Sequence, residues 1–178
     1  MTAFADLLKQ AIAASDIACL RIMGDDTDRV TTVAKALLPL AQEQGVAVLL
    51  DTADLAVKLR ADGVHLADAG RYREARRLIG TDGIVGIGCP LERHAAMEAA
   101  DDGADYVQFF LTDNNAEDAL ELVEWWSEVM TVPCVIGGVL SPSRAAQFVA
   151  AGVDFLAPDH GIWSEQDPVA AIASLLPA

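Results

Sequence analysis

The chain has 178 residues, of which 53% are apolar and 22% are charged. This length and composition indicate one globular domain with a substantial core and exclude a disordered chain, in which charges outnumber aliphatic side chains. Twelve Lys and Arg against 27 Asp and Glu give a formal net charge of −15, which argues against partners such as nucleic acid or anionic membranes. A single small phosphate bound by backbone N–H groups is still compatible with that charge.

The sequence shows no sign of export or of metal binding through cysteine. No apolar run approaches the roughly 20 residues of a membrane span, and the segment Met1–Asp6 lacks the basic start of a signal peptide. Cys19, Cys89 and Cys134 are widely spaced in apolar runs, which predicts buried free thiols in a reducing compartment. We therefore expect a soluble cytoplasmic protein.

Apolar periodicity predicts helices and strands that alternate along the chain. In chain order these are helix 3–14, strand 17–23, helix 28–44, strand 46–50, helix 53–61, strand 63–66, helix 70–79, strand 84–88, helix 91–102, strand 104–110, helix 115–129, strand 133–136, helix 141–152, strand 153–157 and helix 168–176. Ser141 followed by Pro142 is a typical helix start, and Gly45 is a typical helix stop. Glycines are also expected to end the helices before three later strands, at Gly63, Gly103 and Gly152.

Strands that are apolar on both faces and alternate with helices indicate a parallel sheet covered by helices. Seven strands and eight helices in units of roughly 20–25 residues favour a TIM-type (β/α)₈ barrel over an open doubly wound sheet. Because the series begins with a helix, the first barrel strand is expected to be missing or replaced. Residues 1–4 or a partner chain would fill its place, or the barrel would stay open there. We expect one barrel domain over residues 1–178.

Candidate site residues follow from the barrel, because its active site forms at the C-terminal ends of the strands. Arg21 is the only cation inside an apolar strand run, so it either faces an anion or pairs with a carboxylate such as Asp51. Asp51 is expected either to help bind a metal or, preferably, to cap the helix that begins at Ala53. His65 is either a ligand contact or a hydrogen-bonded core residue.

The later strands offer a second set of candidates. Gly137 and Gly138 follow an apolar strand, where they either let backbone N–H groups approach a phosphate or form a tight turn. His160 and Gly161 follow the last strand, where the other half of such a phosphate site would lie. Either they contact the phosphate or they are ordinary loop residues.

Several segments together resemble the thiamine-phosphate synthase and TenI superfamily. VLLDTADLA at 48–56 and ADGVHL at 61–66 are similar to that family's strand ending in Asn-Asp-Arg and its ADGVHLGQ motif. GADYV at 103–107, the segment 133–138 and the segment 151–162 are similar to the family's GADY, IPVVAIGGI and GADGVAVVSAI regions. The resemblance implies the family's barrel fold.

The resemblance covers most of the chain from Asp16 to Leu176 and implies an activity. Members of the family join a pyrimidine diphosphate to a thiazole phosphate, and Mg²⁺ assists the departure of pyrophosphate. The resemblance therefore implies small phosphorylated ligands, Mg²⁺ as the cofactor, and catalytic roles for Arg21, Asp51 and His65. It also implies that the glycine pair and the last loop bind a phosphate.

The chain departs from the family at several charged positions. The family's first metal-binding aspartate falls on Thr52, next to Asp51, and its second falls near Gly70, where Asp68 is the available substitute. Asp51 and Asp68 are therefore the candidate Mg²⁺ ligands. Two family lysines are absent, one of them from a loop that is replaced by residues 111–115. Each lost charge-assisted contact is worth roughly 1.5–3 kcal/mol, so synthase activity is expected to be weak or absent.

These observations lead to one expected function and several alternatives. We expect a thiamine-phosphate synthase-like protein that binds a small phosphorylated, thiamine-related ligand with weak or no synthase activity. The alternatives are a genuine Mg²⁺-dependent synthase, another phosphate-handling isomerase or aldolase, and a non-catalytic barrel that binds a partner. Open strand edges and the adjacent Trp125 and Trp126 favour a homodimer.

Overall fold

The structure is a computed structural model that describes residues 2–176. The chain divides after Val85 into two compact units. Over the described residues, seven strands and eight α-helices follow one another in the predicted order, with two additional 3₁₀ turns. Every predicted element is present, and its ends differ from the prediction by a few residues only.

The first unit contains a short parallel sheet between helices. Its elements are α1 (Thr2–Ala14), β1 (Cys19–Ile22), α2 (Thr27–Glu43), β2 (Ala47–Leu50), α3 (Ala53–Leu59), β3 (Gly63–Leu66), a 3₁₀ turn (Ala69–Arg71) and α4 (Tyr72–Ile79). β1 pairs with β2, and β2 pairs with β3, both in parallel. The helices cover the strands with fully buried aliphatic side chains such as Leu8 and Leu37. This burial supplies the apolar driving force for the unit.

Helix ends in the first unit depend on a few specific residues. Asp26 caps α2, because its Oδ1 accepts hydrogen bonds at 3.0 Å from the backbone N–H groups of Asp28 and Arg29. The prediction that Gly63 ends a helix is wrong. α3 ends instead at Leu59, because the next residue, Arg60, adopts the left-handed conformation at φ +60°. Gly63 is the first residue of β3. A side chain at Gly63 would collide with the carbonyl oxygen of Ile84, so close backbone approach explains this glycine.

The second unit repeats the same alternation. It begins at Gly86 within β4 (Ile84–Cys89), whose first two residues belong to the first unit. The elements that follow are α5 (Arg93–Asp101), β5 (Tyr106–Leu111), α6 (Ala116–Val129), β6 (Cys134–Gly138), α7 (Pro142–Ala150), β7 (Phe155–Pro158), a 3₁₀ turn (His160–Ser164) and α8 (Pro168–Ala173). β4 to β7 pair in parallel in sequence order. Ser141 caps α7 as predicted, with its Oγ accepting from the backbone N–H of Arg144. The strand ends of β5 and β6 are in register, so Leu111 lies opposite Gly138.

Two adjacent tryptophans on α6 have different environments. Trp126 is 1% exposed, and its Nε1 donates a 2.8 Å hydrogen bond to the carbonyl oxygen of Val132. Its ring meets the ring of Phe109 edge to face, with centroids 5.8 Å apart. Trp125 is only partly buried, and the guanidinium of Arg93 lies 4.7 Å from its ring centroid. Trp126 therefore anchors the core of this unit, while Trp125 belongs to its surface.

The cysteines are free, as predicted, but not all of them are buried. Burial raises the pKa of Cys89 and of Cys134 to about 11, which keeps both thiols protonated at neutral pH. Cys19 is exposed, so its predicted burial is wrong. It begins β1, which among the described strands pairs with β2 alone.

Within residues 2–176, no helix is both long enough and apolar enough to cross a membrane.

The start of the chain does not supply the expected first strand. Of the four residues that were considered for that role, Thr2 to Phe4 belong to α1, and Met1 lies outside the described residues. Helical residues direct their backbone hydrogen bonds along their own helix, so they cannot pair with a strand edge.

Candidate functional site

Arg21 and Asp51 form an ion pair at the strand ends of the first unit. Arg21 lies in β1 opposite Leu49 of β2, and Asp51 follows β2 directly. Arg21 Nε donates to Asp51 Oδ1 at 2.9 Å, and the two side chains are 29% and 33% exposed. Of the two alternatives for Arg21, the structure therefore shows the contact with Asp51. The Nη groups have no hydrogen-bond partner within residues 2–176, so they are available to an anion.

Asp51 does not cap α3, so this prediction is wrong. The residue at the N-cap is Thr52, and its side chain makes no capping hydrogen bond. The physical reason is competition, because an arginine contact is stronger than a bond to a neutral backbone N–H group. Asp51 therefore orients Arg21 rather than the helix start.

His65 is buried in β3, with 3% of its surface exposed. Burial, followed by the positive charge of Arg21, lowers the pKa of His65 from 6.5 to about 3. The imidazole is therefore neutral over the physiological pH range, and it cannot act there as a cation for a phosphate. Its ligand or core role stays a prediction.

The described residues do not form a metal site of their own. Within residues 2–176 there is no group of three or more His, Cys, Asp or Glu side chains that could hold a metal ion. Asp68 Oδ1 accepts a 2.8 Å hydrogen bond from the backbone N–H of Gly70, and Asp51 Oδ1 is bound to Arg21. A surface depression lies beside Asp51 and is also lined by Arg71. The assignment of Asp51 and Asp68 to Mg²⁺ stays a prediction.

The predicted phosphate-binding glycines lie at the end of β6 in the second unit. Gly138 has φ +127°, a conformation that side chains rarely adopt, and its carbonyl oxygen accepts a 2.8 Å hydrogen bond from Asp159 N–H. The backbone N–H of Gly161 already donates to Asp159 Oδ1 at 2.7 Å. His160 is 89% exposed, and its Nδ1 lies 3.2 Å from Asp159 Oδ2. The structure therefore brings the predicted residues Gly138, His160 and Gly161 around Asp159.

An ion pair of the second unit, between Arg144 and Asp113, was not predicted from the sequence. Arg144 Nη1, on the first turn of α7, lies 3.1 Å from Asp113 Oδ1, in the loop after β5. Asn115 orders that loop, because its side chain accepts from Thr112 N–H at 2.7 Å and donates to the Phe110 carbonyl oxygen at 3.0 Å. The available signal was a basic residue on the helix that follows the glycine pair.

Comparison with known proteins identifies the family of this chain. The family model described as thiamine monophosphate synthase matches residues 1–162. A thiamine-phosphate synthase from Rhodospirillum centenum is 42% identical, with 96% of this chain and 88% of that protein aligned. Another from Hyphomonas neptunium is 42% identical, with 97% of this chain and 85% of that protein aligned.

A solved structure of similar fold completes the comparison. Thiamine phosphate pyrophosphorylase from Pyrococcus furiosus superimposes with a TM-score of 0.81 at 22% identity, over 96% of this chain and 86% of that one. This similarity confirms the predicted α/β fold of the TIM-barrel type. The sequence matches confirm the resemblance on which the functional expectations rest. The chain belongs to the thiamine monophosphate synthase family, TMP-TENI.

Proposed function

We propose that this protein is a thiamine-phosphate synthase that joins a pyrimidine diphosphate to a thiazole phosphate and releases pyrophosphate. The observation that carries the proposal is 42% identity with a protein of that name along 96% of the chain. Similarity of this extent favours a genuine synthase over the expectation of weak or absent activity. The substrates are small phosphorylated molecules, and the reaction is a group transfer.

Arg21 is the residue best placed to bind the diphosphate. When the bond between the pyrimidine and the diphosphate breaks, its electron pair passes to the departing pyrophosphate, and negative charge develops there. Asp51 holds the guanidinium through Nε, which leaves both Nη groups free for a bidentate contact with phosphate oxygens. A cation fixed before the reaction stabilises that charge without reorganisation during the chemical step.

His65 contributes to this site as a neutral group. Because its pKa is about 3, the imidazole is uncharged at neutral pH and keeps one ring N–H. It can hydrogen-bond without adding charge next to Arg21, which limits the repulsion between two neighbouring basic side chains. We therefore assign it a positioning role rather than that of a general acid.

Mg²⁺ would enter this site with the substrate rather than into a protein cage. Magnesium in proteins is often held by one or two carboxylates together with substrate phosphates, and Asp51 and Asp68 are the carboxylates on offer. Bound there, the metal would supply positive charge for the departing pyrophosphate. The absence of two family lysines favours a second candidate function, in which the protein binds thiamine-related phosphates without turnover.

A turnover assay with purified protein and both family substrates, at Mg²⁺ concentrations from zero to saturation, tests the proposal. We expect thiamine phosphate to form, and we expect Asp51→Asn and Asp68→Asn to slow its formation more than Asp82→Asn, a matched change at an exposed residue of the same unit. If the folded protein binds thiamine phosphate but forms none at any Mg²⁺ concentration, the second candidate replaces the first. Absence of both binding and turnover contradicts both candidates.

We also propose that the whole chain acts as one domain, because the family match at 1–162 continues across the division at Val85. We further propose that the protein is located in the cytoplasm and forms a homodimer. The partly exposed Trp125 is a suitable contact for a second copy. A mass measured in solution at several protein concentrations tests the dimer, and a concentration-independent monomer contradicts it.

A further inference from the structure

We propose that Arg144 is a phosphate-binding residue, which Asp113 holds in place until the phosphate of the ligand displaces the aspartate. The inference rests on the proposed function for the identity of the ligand, which we take to be the thiazole phosphate. It adds a cation and a competing carboxylate that neither the sequence motifs nor the family resemblance assigned.

The position of the pair within the second unit is the first argument. Asp113 lies two residues beyond Leu111, the last residue of β5, and Leu111 is paired with Gly138 at the end of β6. Arg144 lies on the first turn of α7, six residues beyond Gly138, and its backbone N–H donates to Ser141 Oγ at 3.3 Å. The pair therefore lies just past the C-terminal ends of two paired strands, the edge at which parallel α/β folds bind their ligands.

The exposure of the two partners is the second argument. The Asp113 side chain is 89% exposed, whereas that of Arg144 is 30% exposed. Such exposed pairs contribute little to stability, so exchange of one anion for another is inexpensive. Within residues 2–176, Nη1 of Arg144 contacts Asp113, and Nε and Nη2 have no hydrogen-bond partner. A phosphate can engage two of these donors at once, and a stronger bidentate contact then replaces a weaker one.

The loop that carries Asp113 does not depend on this ion pair for its shape. Asn115 bonds the backbone of both Thr112 and Phe110, so removal of the Asp113 charge leaves those bonds intact. Substitutions at Asp113 therefore report on the competition for Arg144 rather than on loss of the loop. The chain's net charge of −15 makes such local control of a cation useful, because the overall field opposes an anionic ligand.

The same unit offers a matched control pair. Arg93 Nη2 on α5 lies 3.0 Å from Glu121 Oε1 on α6, and both side chains are exposed. Arg93→Gln and Glu121→Gln change the net charge as Arg144→Gln and Asp113→Asn do. They leave the ends of β5 and β6 untouched, so they separate a local contact from the effect of total charge.

Calorimetric titration of the full chain with the thiazole phosphate, and separately with the unphosphorylated thiazole alcohol, tests the inference. Arg144→Gln should weaken binding of the phosphate about 10- to 100-fold, the range of one charge-assisted contact. Asp113→Asn should strengthen it about 2- to 5-fold, because the competing carboxylate is gone. Neither change should alter binding of the alcohol, and both control variants should behave like the wild type.

Three kinds of result would overturn the inference. One is wild-type affinity for the phosphate in Arg144→Gln, or weaker binding in Asp113→Asn. Another is an equal loss in Arg93→Gln, which would point to total charge. The third is absence of any binding of the phosphate by the folded wild type. These titrations contain no pyrimidine diphosphate, so they measure binding without turnover. A protein that binds the thiazole phosphate as expected but fails the turnover assay would refute the proposed function and leave this inference standing.

Discussion

The strand ends of the two units are built in different ways. In the first unit the polar groups lie in or next to strands, and the contact that orients them joins Arg21 to Asp51, 30 positions apart. In the second unit they lie in loops and turns, and most contacts are local, such as that of Gly161 N–H with Asp159 two residues earlier. Both partners of the first pair are partly buried, whereas each pair at the strand ends of the second unit has one partner that is 89% exposed, His160 beside Asp159 and Asp113 beside Arg144.

The two units are therefore prepared to bind a ligand in different ways. A strand-borne arginine held by a distant carboxylate is fixed before binding, as stabilisation of a leaving anion requires. An exposed carboxylate on a loop, such as Asp113, can release its partner at little cost, as in the exchange that we propose for Arg144. Substitutions in each unit should therefore have different consequences, and three of them sharpen or break the contrast.

The largest expected effect concerns the core of the second unit. Trp126→Ala removes a buried ring and its hydrogen bond to Val132, so the free energy of unfolding should fall by about 3–5 kcal/mol. Chemical denaturation measures this change. Trp125→Ala, its neighbour on the same helix, should cost much less because its ring is partly exposed. Equal losses for the two variants would contradict the assignment of Trp126 to the core of this unit and of Trp125 to its surface.

The next effect concerns the fixed arginine of the first unit. Arg21→Gln should lower kcat/KM of the proposed synthase reaction about 10- to 100-fold, since one charge-assisted contact to the leaving group is lost. Arg29→Gln, an equal charge change at an exposed position of α2, should leave the rate unchanged. If both variants slow the reaction equally, Arg21 acts only through total charge, and the contrast between the units loses its functional meaning.

Measured per pH unit, the smallest effect is a pH dependence of stability from His65. The unfolded chain takes up this proton near pH 6.5, but the folded protein only near pH 3. The free energy of unfolding should therefore decrease as pH falls from 6.5 to 3, by about 1.4 kcal/mol per pH unit from this residue. Denaturation curves measured in that interval should lose this slope in His65→Leu and keep it in His94→Gln. An unchanged slope in the first variant would contradict the burial of a neutral imidazole.

Local sequence signals were sufficient for most of the fold. Alternating apolar segments predicted the order of elements, and the Ser141-Pro142 start of α7 is present as predicted. The end of α3 was misplaced because a non-glycine residue, Arg60, adopts the left-handed conformation there. A glycine is needed at position 63 for another reason, because the Ile84 carbonyl oxygen lies too close for a side chain there. That contact depends on how distant chain segments pair, which the local sequence does not show.

The candidate site was less predictable, because its contacts are made between distant segments. The contact between Arg21 and Asp51 was one of the predicted alternatives. Because Asp51 makes this contact, it does not cap α3 as expected. The pair of Arg144 and Asp113 spans 31 positions, and nothing in either local segment indicates its partner. Exposure of Cys19 likewise depends on β1 having one described neighbour, which an apolar run does not disclose.

The products of the proposed synthase reaction show whether this chain catalyses it. The measurement is the simultaneous release of pyrophosphate and thiamine phosphate by the purified protein supplied with the pyrimidine diphosphate, the thiazole phosphate and Mg²⁺. We expect equal amounts of both products, formed more slowly by Arg21→Gln. Pyrophosphate without thiamine phosphate, or neither product from a folded protein that binds the thiazole phosphate, would contradict the proposed function.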